Sequence, residues 1–222
     1  MNKTEILQRI HETGLIPVVR AETPDLAVQA VEAIKAGGIN VLEVTMTVPG
    51  AIGVIQQLTS MFGTDALIGA GTVLDPETAY QCIKAGAQFI VSPALNEDTI
   101  AFCRDNEVPV FPGALTPTEV VRAWKAGADA VKVFPASAVG GASYLKALKA
   151  PLPQIELIPT GGVSLATAAA FIAAGAFALG VGADLVDVKA IRSGDAEKVT
   201  QSARAYIAAV SEARRFLAPS PR

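Results

Sequence analysis

A chain of 222 residues, 51% of them apolar, can bury a large core and suits one domain better than two. Its 18 basic and 21 acidic residues are interspersed and leave a net charge of −3, which argues against nucleic acid or an anionic membrane surface as a partner. The one histidine, His11, and two cysteines, Cys82 and Cys103, without metal-like spacing speak against a Ser-His triad, a His-rich zinc site, a disulfide framework or any bound metal.

The first segment, 1–13, carries Lys3, Glu5, Gln8, Arg9 and Glu12 on a helical pattern, which a signal peptide's apolar core would not tolerate. No stretch is long and apolar enough to span a bilayer, so a cytoplasmic location is expected. Eight apolar runs follow, at 15–20, 39–45, 66–71, 88–92, 108–112, 129–134, 155–159 and 177–181, and helix-length amphipathic segments separate them. Four of the runs are announced by one recurring phrase: Lys35-Ala36-Gly37-Gly38, Lys84-Ala85-Gly86-Ala87, Lys125-Ala126-Gly127-Ala128 and Ala173-Ala174-Gly175-Ala176. A glycine just past a helix supplies a left-handed cap, and the small residue after it lets the chain turn into a strand.

Alternating strands and helices require right-handed crossovers and a parallel sheet. Eight units in about 200 residues fit an α/β protein of the (β/α)8 TIM-barrel type with an additional N-terminal helix plugging the N-terminal mouth. The rival, a doubly wound open sheet, lacks its dinucleotide fingerprint: Gly69-Ala70-Gly71-Thr72-Val73-Leu74 has leucine where the third glycine belongs. The expected organisation is a single domain over 1–222, with a helix at 1–13, the barrel at 15–190, a C-terminal helix at 195–217 and a frayed tail at 218–222. Cys82 and Cys103 fall in helices and read as packing thiols.

Reactive side chains of such barrels come from the C-terminal ends of strands. Three charged residues there do not belong in a core: Lys132 in Ala130-Val131-Lys132-Val133-Phe134-Pro135, Glu43 in Val41-Leu42-Glu43-Val44-Thr45, and Arg20 closing Pro17-Val18-Val19-Arg20. Burying an ammonium group is costly unless it is paired or loses its proton, and lysine is the residue that forms Schiff bases with carbonyl substrates. A carboxyl desolvated by a barrel lumen can supply the proton transfers that imine chemistry needs. The structural alternative is a buried Lys132–Glu43 ion pair, or side chains that point outward, and alternation alone does not say which strand face is inward. Arg20 could grip a substrate carboxylate or serve only as a cap. Thr45, Thr47, Thr72, Thr116 and Thr160 could orient a polyhydroxy substrate, though threonine is also an ordinary strand and capping residue. Two glycine turns, Thr160-Gly161-Gly162-Val163 and Gly180-Val181-Gly182-Ala183-Asp184, follow the last two strands, where barrels commonly hold a phosphate on bare backbone amides.

Together, the Glu43 strand, Gly69-Ala70-Gly71-Thr72-Val73, Ser92-Pro93, Phe111-Pro112-Gly113, Val131-Lys132-Val133-Phe134-Pro135 and Pro159-Thr160-Gly161-Gly162-Val163 resemble the 2-keto-3-deoxy-6-phosphogluconate aldolase family over nearly the whole chain. This family also includes 4-hydroxy-2-oxoglutarate aldolase activity. The resemblance implies a class I aldolase without cofactor, acting on a phosphorylated keto acid and releasing pyruvate, assembled as a homotrimer. By position it implies that Lys132 forms the Schiff base and Glu43 shuttles protons. It implies further that Thr72 contacts the pyruvate-derived carboxylate, that Pro93 and Phe134 wall the keto-acid pocket, and that Gly161, Gly162 and Gly182 hold the phosphate.

Two positions depart from the pattern. Some members carry arginine where this chain has Thr47, so Arg20 is expected to replace that cation, and some carry serine where it has Ala183, which keeps the amide and loses a hydroxyl. Galactonate-type relatives tend to have an apolar residue before the Gly-Gly turn, so Thr160 favours the gluconate substrate. Rival functions on the same barrel are a phosphosugar isomerase or epimerase, a thiamine phosphate synthase-like transferase, and a non-catalytic phospholigand-binding protein.

Overall fold

The structure is a computed structural model and describes residues 1–217. The chain opens on helix α1 (Lys3–Thr13), capped by Asn2 in a reciprocal pair with Glu5. Strands β1 (Leu15–Val19), β2 (Val41–Thr45), β3 (Leu67–Gly71) and β4 (Ile90–Val91) follow, separated by helices α2 (Pro24–Ala36), α3 (Ala51–Phe62) and α4 (Pro76–Lys84). After α5 (Glu97–Asp105), the fifth strand position is split into β5 (Val110–Phe111) and β6 (Gly113–Ala114). The sequence suggests one uninterrupted strand at 108–112. Pro112 breaks it because it has no N–H for the ladder, while its carbonyl still accepts from the Lys132 amide at 2.9 Å. Then come α6 (Pro117–Ala126), β7 (Val131–Val133), α7 (Ala142–Lys149), β8 (Leu157–Pro159), α8 (Leu165–Ala173), β9 (Leu179–Val181), the unanticipated short α9 (Val188–Arg192) and α10 (Ala196–Leu217). The tail expected at 218–222 lies outside the described residues.

All ladders are parallel, in the orders β5-β4-β3-β2-β1-β9 and β6-β7-β8. The sheet closes at two joints. Chain continuity through Pro112 links β5 to β6, and Thr160 pairs with Gly180 where β8 meets β9. The result is the (β/α)8 TIM barrel with its extra N-terminal helix.

Helix starts are set by short polar caps: Thr23, Asp75, Asn96 and Thr116 each accept from a backbone amide of the first turn. Thr116 is therefore a helix cap. The recurring glycine phrase works as expected at Gly86, Gly127 and Gly175, which have positive φ. In the first copy the left-handed residue is Gly38 (φ 102°), and Gly37 stays right-handed. Gly37 serves instead for close approach, since a methyl group there would collide with Ala203 and the Thr200 carbonyl of α10.

Alternation along the strands sorts side chains into two shells. Leu15, Val19, Leu42, Val44, Ile68, Ala70, Val131 and Val133 pack outward against the helices. Ile16, Val41, Leu67, Phe89, Phe111, Ala130, Ile158 and Ala178 pack together in the lumen, joined by Ile6 and Ile10 of α1. Helix α1 thus plugs the N-terminal mouth, held there by a Lys3–Asp129 ion pair at 2.8 Å and by Arg9 donating to the Thr64 and Asp65 carbonyls. Both thiols are buried and inert, the desolvated Cys82 and Cys103 being pushed up to about 12. No described helix is long and apolar enough to cross a membrane.

Candidate active site

The shell assignment settles which way the charged strand residues point. Val131 and Val133 face the helices and Ala130 faces the lumen, so Lys132 between the valines faces the lumen. By the same alternation Leu42 and Val44 point out, and Glu43 and Thr45 point in. Lys132 is 3% exposed and Glu43 2%. Each lies beside glycine on a neighbouring strand: Glu43 is level with Gly69 and Thr45 with Gly71, while Lys132 is level with Gly113.

Those glycines create the space. A methyl group on Gly71 would overlap the Glu43 carboxyl, and one on Gly113 would overlap the backbone of Pro93 and Ala94. Gly71 is thus the floor over which Glu43 lies, and Gly113 lets the Pro93 turn close in beside Lys132. In the sequence Gly71 stands in a failed dinucleotide motif and in one of the segments that carry the family resemblance, neither of which gives it a role of its own. A glycine level with a threonine two residues beyond a lumen carboxylate was the signal that could have found its role.

No direct ion pair forms between Lys132 and Glu43 among the described residues, and Glu43 Oε1 is buried without a hydrogen-bond partner. Burial pushes the Glu43 carboxyl above the ordinary carboxylate range, against the opposing pull of the positive charges of Lys132 and, less strongly, Arg20. The Lys132 ammonium nitrogen lies 5.3 Å from the centre of the Phe134 ring. The buried-ion-pair alternative therefore does not describe this pair. An amine and a carboxyl whose burial favours its protonated form face one lumen without pairing with each other, which equips the site for imine chemistry.

Beyond them opens a cavity of about 370 Å³. It gathers Arg20 from the end of β1, Phe134 from β7, Thr160, Gly161 and Gly162 from the turn after β8, and Gly182 and Ala183 from the turn after β9. Gly161 and Gly162 have φ of 88° and 75°, the left-handed conformation that folds this turn back on itself. Thr160 is buried, its side chain seated in space that a methyl group on Gly180 would fill. Val18, Val163, Ser164 and Asp184 also line the cavity; Asp184 stood inside a glycine turn already singled out, but no role was read for it.

Five expected residues lie apart from this lining: Lys132 and Glu43, buried in the lumen, and Thr47, Thr72 and Pro93. Thr47 is exposed, and its hydroxyl sits 2.6 Å from that of Thr45, which also bonds the Val19 carbonyl. Thr72 follows β3 at φ 61°, and Pro93 follows β4 against Gly113. A larger hollow of about 640 Å³ lies between α1 and α10, far from these groups in the fold. Its Arg214 is committed to the carbonyls of His11, Glu12 and Phe177. No group of three His, Cys, Asp or Glu side chains among the described residues is placed to hold a metal ion.

Residues 6–202 match the family model described as KDPG and KHG aldolase. The chain belongs to this aldolase family. It is a class I aldolase, a lyase on the TIM barrel. A 2-dehydro-3-deoxy-phosphogluconate aldolase of Treponema pallidum (strain Nichols) is 37% identical to it, over 88% of this chain and 92% of that one. A 2-dehydro-3-deoxy-6-phosphogalactonate aldolase of Escherichia coli (strain K12) is 38% identical over 90% and 95%. Among solved structures, the KDPG aldolase of Legionella pneumophila with pyruvate captured as a covalent carbinolamine superposes with a TM-score of 0.84 at 32% identity, covering 90% of this chain and 97% of that one.

Proposed function

We propose that this aldolase cleaves 2-dehydro-3-deoxy-6-phosphogluconate to pyruvate and glyceraldehyde 3-phosphate, with Lys132 as the Schiff-base residue and Glu43 as the acid–base. The observation that carries the reading is a lumen-facing lysine beside an unpartnered carboxyl, below a cavity lined by two glycine turns. The unprotonated Lys132 amine adds to the C2 ketone to give a carbinolamine. Glu43 supplies the proton with which the C2 oxygen leaves as water, and the protonated imine so formed is the electron sink. Removal of the C4 hydroxyl proton breaks the C3–C4 bond and its electrons flow into the iminium, releasing glyceraldehyde 3-phosphate and leaving an enamine. Protonation at C3 and addition of water then free pyruvate and regenerate the amine.

Arg20 is the side-chain cation of the cavity, and with Thr47 turned to Thr45 we assign it the anion recognition that some relatives give to arginine at that position. Phe134 and Pro93 wall the keto-acid end, Thr72 meets its carboxylate, and Thr160 meets the sugar hydroxyls. The amides of Gly161, Gly162, Gly182 and Ala183 take the phosphate. Assembly as a homotrimer, which the family resemblance suggests, would give a sedimentation mass three times 22.8 kDa.

The galactonate reading stays in play because a galactonate-type relative is 38% identical, whereas Thr160 favours the gluconate. Cleavage rates on the gluconate, galactonate and 4-hydroxy-2-oxoglutarate substrates decide among them. The proposal expects the highest kcat/KM on the gluconate and is overturned by faster cleavage of either of the others.

A further inference from the structure

Asp184 stands at a junction that the chemistry above does not use. Its Oδ1 accepts from the amide of Leu165, the first residue of α8 beyond the Gly161-Gly162 turn, at 3.3 Å. The same oxygen accepts from the hydroxyl of Tyr206 on α10. Its own backbone leads directly out of Gly182-Ala183, and its carbonyl accepts from Ser202 Oγ at 3.5 Å, again from α10. Tyr206 is fully buried, so its phenol has given up water for this one carboxylate. Burial, followed by the hydrogen bond to Asp184, raises the phenol above its ordinary range and keeps it a donor. One carboxylate oxygen therefore ties the turn after β9 to the start of α8, and a helix from the end of the chain anchors both. Each turn is also tied within its own arm, Gly182 by accepting from the Leu185 and Val186 amides and Gly161 and Gly162 by accepting from the Ser137 amide and the Thr167 hydroxyl, whereas from one arm to the other Asp184 adds a side-chain link to the Thr160–Gly180 pairing.

We propose that Tyr206 and Asp184 are positioning residues that set the distance between the two anion-binding turns, so that a buried tyrosine on the C-terminal helix governs affinity for the substrate's phosphate without touching the substrate. The inference rests on the reading of those turns as the phosphate seat. It predicts a loss confined to phosphate recognition. A hydrogen bond to a charged group is the contact removed, so Tyr206→Phe should raise KM for the phosphorylated sugar acid by about ten-fold. Its kcat, and its KM for the same sugar acid without the phosphate, should stay within about two-fold of the parent enzyme.

The test compares both substrates in the parent enzyme, Tyr206→Phe, Asp184→Ala and the double variant. Asp184→Ala should show at least the Tyr206→Phe loss, and the double variant should be no worse than Asp184→Ala, because both changes break one linkage. Asp184→Asn, which keeps the accepting oxygen, should recover KM to within about three-fold of the parent; this comparison with Asp184→Ala carries the test if Tyr206→Phe fails to fold. A parent enzyme with equal KM for the two substrates overturns the phosphate reading, and the inference with it. A parent enzyme that prefers phosphate, with variants that shift neither KM, shift both equally or add independently, overturns the inference alone.

Discussion

At the N-terminal end of the lumen, the inward positions of the strands hold Ile16, Val41, Leu67, Phe89 and Phe111, and α1 seals them with Ile6 and Ile10. Two residues further along, the inward positions of β1, β2 and β7 hold Val18, Glu43 and Lys132, with Gly71 and Gly113 beside them. Gly69 belongs to the filled end, since its missing side chain admits the Phe89 ring, whereas the missing side chain of Gly71 admits the Glu43 carboxyl. The lower layer stabilises by removing apolar surface from water, at about 1.5–3 kcal/mol for each fully buried large side chain. The upper layer keeps an unpartnered carboxyl buried and so costs stability. One end of the barrel makes the fold and the other uses it.

That division is broken most severely at Lys132. Lys132→Ala should abolish turnover in a coupled pyruvate assay while the circular dichroism spectrum stays that of the parent, and measurable turnover near the parent rate would refute the assignment. Glu43→Gln keeps the shape and removes the titrating proton, so kcat should fall by roughly 10²–10⁴-fold. Near-normal kcat would remove Glu43 from the mechanism. Gly71→Ala should cost about 10²-fold in kcat by displacing that carboxyl, with little change in melting temperature. A fall in stability without a fall in kcat would show that Glu43 is held by something other than the Gly71 floor.

The smallest expected effect on turnover comes from the opposite end. Ile10→Ala should leave kcat per folded molecule unchanged and lower unfolding free energy by about 2–5 kcal/mol in urea titrations. A specific loss of kcat there would mean that the two layers are not separable. Glu43 sharpens the same contrast through pH. Its folded-state pKa lies above the ordinary value of 4.5, so the folded protein binds the extra proton, and stability is fullest below that value and declines as pH rises through the folded one. Glu43→Gln should therefore be more stable than the parent at about pH 8, with the gap closing toward about pH 5. A gap that widens on acidification would mean that the carboxylate is stabilised, not strained, by its surroundings.

Much of the barrel was legible because apolar runs and the recurring glycine phrase are local signals: a strand falls inside each of the eight runs, and Gly86, Gly127 and Gly175 close helices ahead of three of them. The inward face was not legible, because β7 and β2 are buried on both sides and alternation shows no wet face to orient by. Only the joining of Ala130 and Val41 to Ile10 across the sequence decides it. The interruption at Pro112 was missed although proline's missing donor was in plain view, since a strand of this length can be written through it as an edge. Lys132, Glu43 and the glycine turns could be read as charges and glycines out of place. The Asp184–Tyr206 tie could not, because 22 residues and a helix separate partners that only the closed fold brings together.

The most direct measurement is borohydride reduction in the presence of pyruvate, followed by peptide mass spectrometry. A stable pyruvate-derived adduct on the peptide holding Lys132, lost in Lys132→Ala, is the predicted result. No adduct, or one on another lysine such as Lys149 or Lys189, would contradict the central claim that the lumen amine of β7 bonds the ketone.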